Sequence, residues 1–483
     1  MNISNLEPQI VWKYFYELTQ IPRPSKKEKK AADYVRDFGR SLGLETLVDE
    51  IGNVLIRKPA TPGMDDCKGV ILQSHLDMVP QKNSDKKHDF ETDPIEAYID
   101  GEWVTANGTT LGADNGMGVA ASMAVLASKD IVHGPIEALF TIDEETGMTG
   151  ANNLKVGFLK GDILMNLDSE DEGELYVGCA GGLDGTFTFD YNEEVLPAGY
   201  SVYKISVTGM KGGHSGMDII LGRGNANKTM IRFLKHTTAL YGVRLSSIEG
   251  GSLRNAIPRE AFAVVAVSED KAEDFKKSVD SFLEIVKAEL SATEPNLKIT
   301  IESATANSVM DTATQNNLIN AVYGCPNGVM RMSDAMPGLV ETSTNLAIVK
   351  SENGKASVSC LMRSSVDTAK DDLANMMDSI FMLAGAKCEF TGGYPGWKPN
   401  MDSAILNTMK DVYEKLYGRT PEIKAIHAGL ECGIIGGIYP GLDMISCGPT
   451  IRFPHSPDEK VKIDTVDKWW KFLVETLKNI PKK

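Results

Sequence analysis

The 483 residues carry 66 Asp plus Glu against 50 Lys plus Arg, a formal charge of -16, which argues against a polyanion such as nucleic acid as the main partner. With 42% hydrophobic content the chain can bury a large core, and it is too long for one ordinary compact domain, so two domains are expected. Its seven cysteines (67, 179, 325, 360, 388, 432 and 447) are scattered and never form a Cys-x-x-Cys pair, which indicates neither a disulfide framework nor a thiolate zinc site.

The first segment, "MNISNLEPQIVWKYFYELTQIPRPSKKEKKAADYV", has no secretory-signal pattern and reads as an amphipathic helix, a turn and a second helix. No apolar run reaches the ~20 residues of a membrane-spanning helix, so no membrane partner is expected, and the scattered cysteines fit a reducing cytoplasm best. Over 1–190, short apolar runs alternate with helix-like segments, the signature of a largely parallel α/β sheet with helices on both faces; "GVILQS", "IEALFTI" and "DILMNL" are its clearest strands. From 191 to 395 the texture becomes α+β: "YSVYKISVTG", the helical "NANKTMIRFLKHTTALYG", "FAVVAVSE", the charged helix "KAEDFKKSVDSFLEIVKAEL" and "LKITIES". "TNLAIVKSE", "KASVSCLMRSS", a helix "DTAKDDLANMMDSIFMLAG" and "KCEFTGG" resemble a partial second copy of that texture. "GGYPGWKPN" reads as a linker, after which the helix "ILNTMKDVYEKLYG" and the strand "DMISCGP" resume the first architecture. The expected organisation is thus a catalytic α/β domain from 1–190 and 396–483, with 191–395 inserted as a second domain.

Three apolar strands end in ligand-type residues: "GVILQS" leads to His75 and Asp77, "IEALFTI" to Asp143, Glu144 and Glu145, and "DILMNL" to Asp168. In open parallel sheets the carboxyl ends of the strands line the ligand crevice, so groups far apart in sequence converge there. Asp114 in "TLGADNGMG", just before an apolar helix, and His455 in "IRFPHSPDE", after the last strand, suit the same edge. Taken singly each has a plainer reading: Asp114 as a helix N-cap, His455 as a surface or core histidine, the acidic triplet as a solvated turn and Asp168 as a loop cap. Taken together, two imidazoles, several carboxylates and no thiolates make a hard-to-borderline set suited to Zn²⁺ or Mn²⁺. More ligands than one ion needs suggests two ions about 3.5–4 Å apart sharing a carboxylate, with an adjacent glutamate left to take a proton from water.

"SHLDMVP", "GADNGMG", "DEETG", "NLDSE" and "PHSPDE", in this order, resemble the co-catalytic metallopeptidase family of glutamate carboxypeptidases, aminoacylases, tripeptidases and dipeptidases, over essentially the whole chain. "TLGADNG", "HAGLECG" and "SCGPTIRFPHSPDE" point to its dipeptidase branch. The resemblance implies a zinc-peptidase-like catalytic domain, a mostly parallel mixed sheet flanked by helices, with an inserted α+β lid. It implies two divalent metal ions, Zn with Mn or Co as alternatives: one held by His75 and Asp168, the other by Glu145 and His455, and Asp114 between them. Glu144 would be the general base and Asp77 would orient His75, and a cis peptide is implied between Asp114 and Asn115. In the lid, His214 of "GMKGGHSGMD" would stabilise the oxyanion, with Asn255 and Arg363 in substrate-binding positions; read without the family, none of the three stands out. The implied reaction is hydrolysis of an unblocked dipeptide, with Xaa-His including β-alanyl-histidine as a preference, on a small peptide partner and compatibly with a homodimer. Rival readings are a tripeptidase or N-acyl-amino-acid amidohydrolase with the same site, and a non-catalytic metal-dependent binding protein.

Overall fold

The apolar runs form the middle of one sheet. Val70–His75 runs parallel to Ile136–Thr141 on one side and to Ile163–Asn166 on the other, and every residue of these three strands is buried. A strand this apolar on both faces needs a helical layer on each side. The computed structural model describes residues 2–483, and this sheet belongs to the first of two units: the chain up to Gly178 with Pro399–Ala425 and Leu430–Lys483. Asp443–Ser446 extends the parallel core beside Ile163–Asn166. The hairpin Glu45–Val48/Val54–Lys58 joins antiparallel on the far side, which makes the eight-stranded sheet mixed. Gln9–Thr19 packs Val11, Trp12, Phe15 and Leu18 against Ala113–Ala127, a helix buried nearly all round.

A small four-stranded sheet in the same unit, Ile451–Arg452, Lys460–Lys462, Trp103–Ala106 and Ala97–Asp100, went unseen in the sequence. It matters because His455 sits in the hairpin loop between its first two strands, pinned by the pairs Ile451↔Val461 and Arg452↔Lys460. Among the described residues, no helix is long and apolar enough to cross a membrane.

The second unit is Cys179–Lys398 with Ile426–Gly429. Its nine-stranded sheet includes Gly181–Asp190, which the sequence reading placed in the first stretch, and the two similar-looking strand sets are one continuous sheet joined where Arg244–Gly250 meets Val340–Glu352. The helices Ala226–Tyr241, Ala272–Glu289, Thr312–Gly324 and Asp367–Leu383 contribute to its core, where Phe187 stacks on Phe381 with ring centroids 3.9 Å apart. Asn353 and Gly354, both with positive φ, make the two-residue turn that folds Val340–Glu352 onto Lys355–Ser364. That register sets Arg363 opposite Ser343 on one side and Gly182 on the other. The expected linker, 392–400, contains the crossing between the units, from Lys398 to Pro399; just before it Cys179 and Trp397 exchange backbone hydrogen bonds of 2.9 Å, and Trp397 is buried.

Candidate active site

His75 is the last residue of its strand, so its ring stands at the carboxyl edge of the sheet. Its Nε2 lies 3.2 Å from Asp114 Oδ1, 3.3 Å from Asp168 Oδ1 and 4.0 Å from Glu144 Oε2. Its Nδ1 faces Asp77, 3.2 Å from the backbone carbonyl and 3.3 Å from Oδ1. Asp77 does a second job: its two oxygens accept the backbone N–H groups of Glu144 (2.9 Å) and Glu145 (3.2 Å), tying the acidic turn to the histidine strand. His455 reaches the same cluster from its hairpin, with Nε2 3.3 Å from Asp114 Oδ2 and 2.9 Å from Glu145 Oε2. Asp114 therefore has one oxygen toward each imidazole.

Of the three consecutive acids, Asp143 turns away. Its backbone is left-handed, φ 49°, and its carboxylate accepts the hydroxyls of Thr146 and Thr149, closing the turn that presents Glu144 and Glu145. Asp114 is no helix N-cap: it makes no capping hydrogen bond, it lies inside the first turn with non-helical angles, and the bond to Asn115 is cis.

The electrostatics of the cluster follow from its burial. Burial, with the carboxylates of Asp168, Glu431 and Glu145, pushes Glu144 well above the usual carboxyl range against the opposing pull of His75. Burial also lifts Asp168, to about 6. The hydrogen bonds to Asp114 and Glu145 raise His455 to about 11. Carboxylates crowded this way favour any positive charge among them. The donor atoms fall into sets within 4.8 Å of one another, His75 with Asp114 and Asp168, and Asp114 with Glu145 and His455; a further set joins His75 to Glu144 and Glu145. Among the described residues the buried Glu145 Oε1 accepts no hydrogen bond, and Asp168 Oδ1 has only the His75 ring, 3.3 Å away, facing it. An imidazole with carboxylate oxygens, some left unsatisfied, fits divalent metal ions.

Two supports were missed in the sequence. Glu459, four residues after His455, is fully buried, and its carboxylate accepts the N–H groups of Leu111 (2.7 Å), Gly112 (2.9 Å), Ala113 (2.8 Å) and Asp114 (3.1 Å). On the other side of that loop Arg23 donates to the carbonyls of Leu76 and Asp77, at 2.9 Å each, and to that of Gly112. The second support is a polar layer inside the sheet. Gln73, Thr141 and Asn166 lie on the three neighbouring strands, Gln73 two residues before His75 and so on the same face by strand period 2, and Thr141 and Asn166 as the last residues of theirs. Asn166 donates to Gln73 Oε1 at 2.6 Å, and buried Glu431, from the helix Glu431–Ile438, accepts from Gln73 (2.6 Å) and Thr141 (2.8 Å). The signal was available: Gln73 and Asn166 are polar residues in otherwise apolar strands.

The second unit carries its own cluster. Arg363 is buried, donates to the Tyr394 hydroxyl at 3.2 Å and reaches Ser215 Oγ at 3.5 Å; among the described residues no carboxylate pairs with it. Gly182, across the sheet, has to lack a side chain, since a Cβ there would stand 2.5 Å from the Tyr394 ring. His427 of "HAGLECG" is buried with Nε2 2.7 Å from Ser343 Oγ, and burial together with Arg363 lowers it to about 3. His214 follows two glycines, and the carbonyl of Asn255 accepts the Ser215 N–H at 2.8 Å; the Asn255 residue itself is exposed.

A mixed α/β sheet that gathers two imidazoles and several carboxylates at its carboxyl edge, in sets fit for divalent ions, defines a metal-dependent hydrolase. The chain belongs to peptidase family M20/M25/M40, whose model matches residues 71–479. It is a peptidase, and membership implies divalent metal ions. It is 48% identical over 482 residues to the cytosol non-specific dipeptidase of Escherichia coli, covering 100% of this chain and 99% of that protein. The crystal structure of aminoacylhistidine dipeptidase from Vibrio alginolyticus matches with a TM-score of 0.96 at 52% identity, covering 100% of this chain and 99% of that one. The aminopeptidase PepT of Bacillus cereus shares the fold, with a TM-score of 0.58 at 17% identity over 98% of this chain and 99% of that one.

Proposed function

We propose that the chain is a cytoplasmic dipeptidase acting on unblocked dipeptides, with those ending in histidine, β-alanyl-histidine among them, as substrates. The observation that carries the reading is that Asp114 turns one oxygen to His75, which also faces Asp168, and the other to His455, which also faces Glu145, with Glu144 beside them. Full-length likeness to a cytosol non-specific dipeptidase and to an aminoacylhistidine dipeptidase supports the substrate class. On this reading His75, Asp168 and Asp114 hold one ion, and Asp114, Glu145 and His455 the other, zinc being the best match to two imidazoles and carboxylates. Bound there, such ions supply Lewis acidity toward the peptide carbonyl and toward water.

The remaining chemistry belongs to the side chains. Glu144, beside the ligand groups, takes a proton from the attacking water and returns it to the leaving amine. Asp77 keeps the His75 ring oriented and the Glu144 turn in place, a role whose loss commonly costs metal affinity or activity. The second unit acts as the substrate-binding lid. His214 donates a hydrogen bond to the oxyanion. Arg363, buried and in no salt bridge among the described residues, takes the dipeptide's terminal carboxylate, and Asn255 contributes a further polar contact. The assembly we propose is a homodimer, which light scattering of the full chain tests.

Glu144→Gln tests the mechanism. It keeps the size and loses the base, so turnover of a dipeptide should vanish while metal content stays that of the wild type. Retained turnover would remove Glu144 from its role.

A further inference from the structure

We propose that His214 is held as a neutral imidazole with its proton on Nε2, a state imposed by the backbone of its own loop. The use made of that proton rests on the function proposed above; the state itself rests on local geometry. The N–H groups of Gly216 and Met217 both point at Nδ1, at 3.2 and 3.1 Å. A backbone N–H can only donate, so Nδ1 has to present its lone pair. A proton on Nδ1 would face two others and forfeit both bonds. The neutral ring then carries its proton on Nε2.

The loop is built to keep those two donors in place. The His214 N–H donates to Asp218 Oδ2 at 2.8 Å, Asp218 Oδ1 pairs with Arg223 at 3.2 Å, and Arg223 donates to the Gly212 carbonyl at 2.6 Å. Buried Glu294 clamps both ends of the segment by accepting the N–H groups of Lys211 and Gly224, each at 2.8 Å. Position 216 tolerates only glycine: a Cβ there would lie 2.1 Å from the His427 carbonyl oxygen and 3.1 Å from His214 Cε1. The "HSG" of the sequence is thus a donor arrangement for the ring of its own histidine.

The charged surroundings agree. Three groups act on His214 or are acted on by it: Arg363, which opposes a second positive charge; Asp218, whose carboxylate is engaged by the loop N–H and Arg223; and His427, itself neutral. Burial first, then Arg363, lowers the affinity of His214 for a second proton. The chemical consequence is a division of labour. A neutral Nε2–H donates a strong hydrogen bond to an oxyanion and is far too weak an acid to give the proton away, which leaves proton transfer to Glu144.

The test is ¹⁵N NMR of the full chain labelled in its seven histidines, with His214→Asn used to assign the missing ring. The expected spectrum shows a bare Nδ1 and a protonated Nε2 for His214 at neutral pH, with any titration displaced below the ~6.5 of an ordinary histidine. A proton on Nδ1 at neutral pH, or a titration to imidazolium at or above that of an ordinary histidine, would overturn the proposal. Gly216→Ala should displace the two donors and let the ring titrate; an unaltered His214 resonance in that variant would also overturn it. Kinetics separate this from the proposed function. His214→Ala should lower kcat about 10²- to 10³-fold, and an unchanged kcat beside the expected spectrum would sink the oxyanion role while leaving the tautomer in place.

Discussion

Replacing Glu459 by Gln tests whether the Asp114 loop is held from behind by one buried carboxylate. In the wild type each oxygen serves two donors: Oε2 accepts Leu111 and Gly112, and Oε1 accepts Ala113 and Asp114. Glutamine preserves the volume but turns one oxygen into an NH₂ group, so one pair of backbone donors faces another donor. A buried donor left without its partner costs about 1–3 kcal/mol, which for two gives about 2–6 kcal/mol. That is a large share of the ~5–15 kcal/mol that holds a typical domain together. Urea denaturation of the metal-free chain should register the loss, and the metal retained after loading and dialysis should fall, because the loosened loop is the one that carries Asp114. A Gln variant within about 0.5 kcal/mol of wild type and with full metal content would refute the clamp.

Two further predictions concern the other buried groups. Burial raises the Glu431 carboxyl from the ordinary 4.5 to about 7, so its contribution to stability is present in full below ~4.5 and is lost as pH rises through 7. Across that window it should cost the metal-free protein up to about 3 kcal/mol. Glu431→Gln, always neutral, should flatten the profile of urea midpoint against pH; parallel profiles for variant and wild type would contradict the assignment. Arg363→Gln should raise KM for free dipeptides roughly 10- to 150-fold, the value of about 1.5–3 kcal/mol for hydrogen bonds to a charged group. Dipeptide amides, which lack the carboxylate, should be affected far less, and an equal effect on both would remove Arg363 from carboxylate recognition.

The residues at the sheet edge were legible because local pattern and topology agree there. An apolar strand that runs out into His75, or two residues short of Asp143 or Asp168, announces both its burial and its exit toward a crevice, and the parallel order then brings these exits together. The division of the acidic triplet was not legible. Asp143 looks like its neighbours until the left-handed turn shows it facing two threonines. Glu459 escaped for a different reason: the groups it holds lie 345 to 348 residues away, and nothing in "PHSPDE" distinguishes a buried clamp from a solvated acid. Glu431 and Gln73, 358 residues apart, pose the same problem, softened by the oddity of a glutamine inside "VILQSH". The hairpin that carries His455 was read as a loop because its strands of two and three residues are too short for a periodic signal. "GGYPGWKPN" has the composition of a linker, and the chain does pass from the second unit to the first between Lys398 and Pro399; what composition hid is that Tyr394 ends a strand of the nine-stranded sheet and Trp397 is buried beside Cys179.

The most direct test of the account is release of free histidine from alanyl-histidine and β-alanyl-histidine by metal-stripped enzyme, before and after addition of Zn²⁺ or Mn²⁺. The account predicts no release without metal and its restoration with one of the two ions. No release with either ion, while tripeptides or N-acyl amino acids are cleaved, would contradict the dipeptidase assignment and leave the metal site in place.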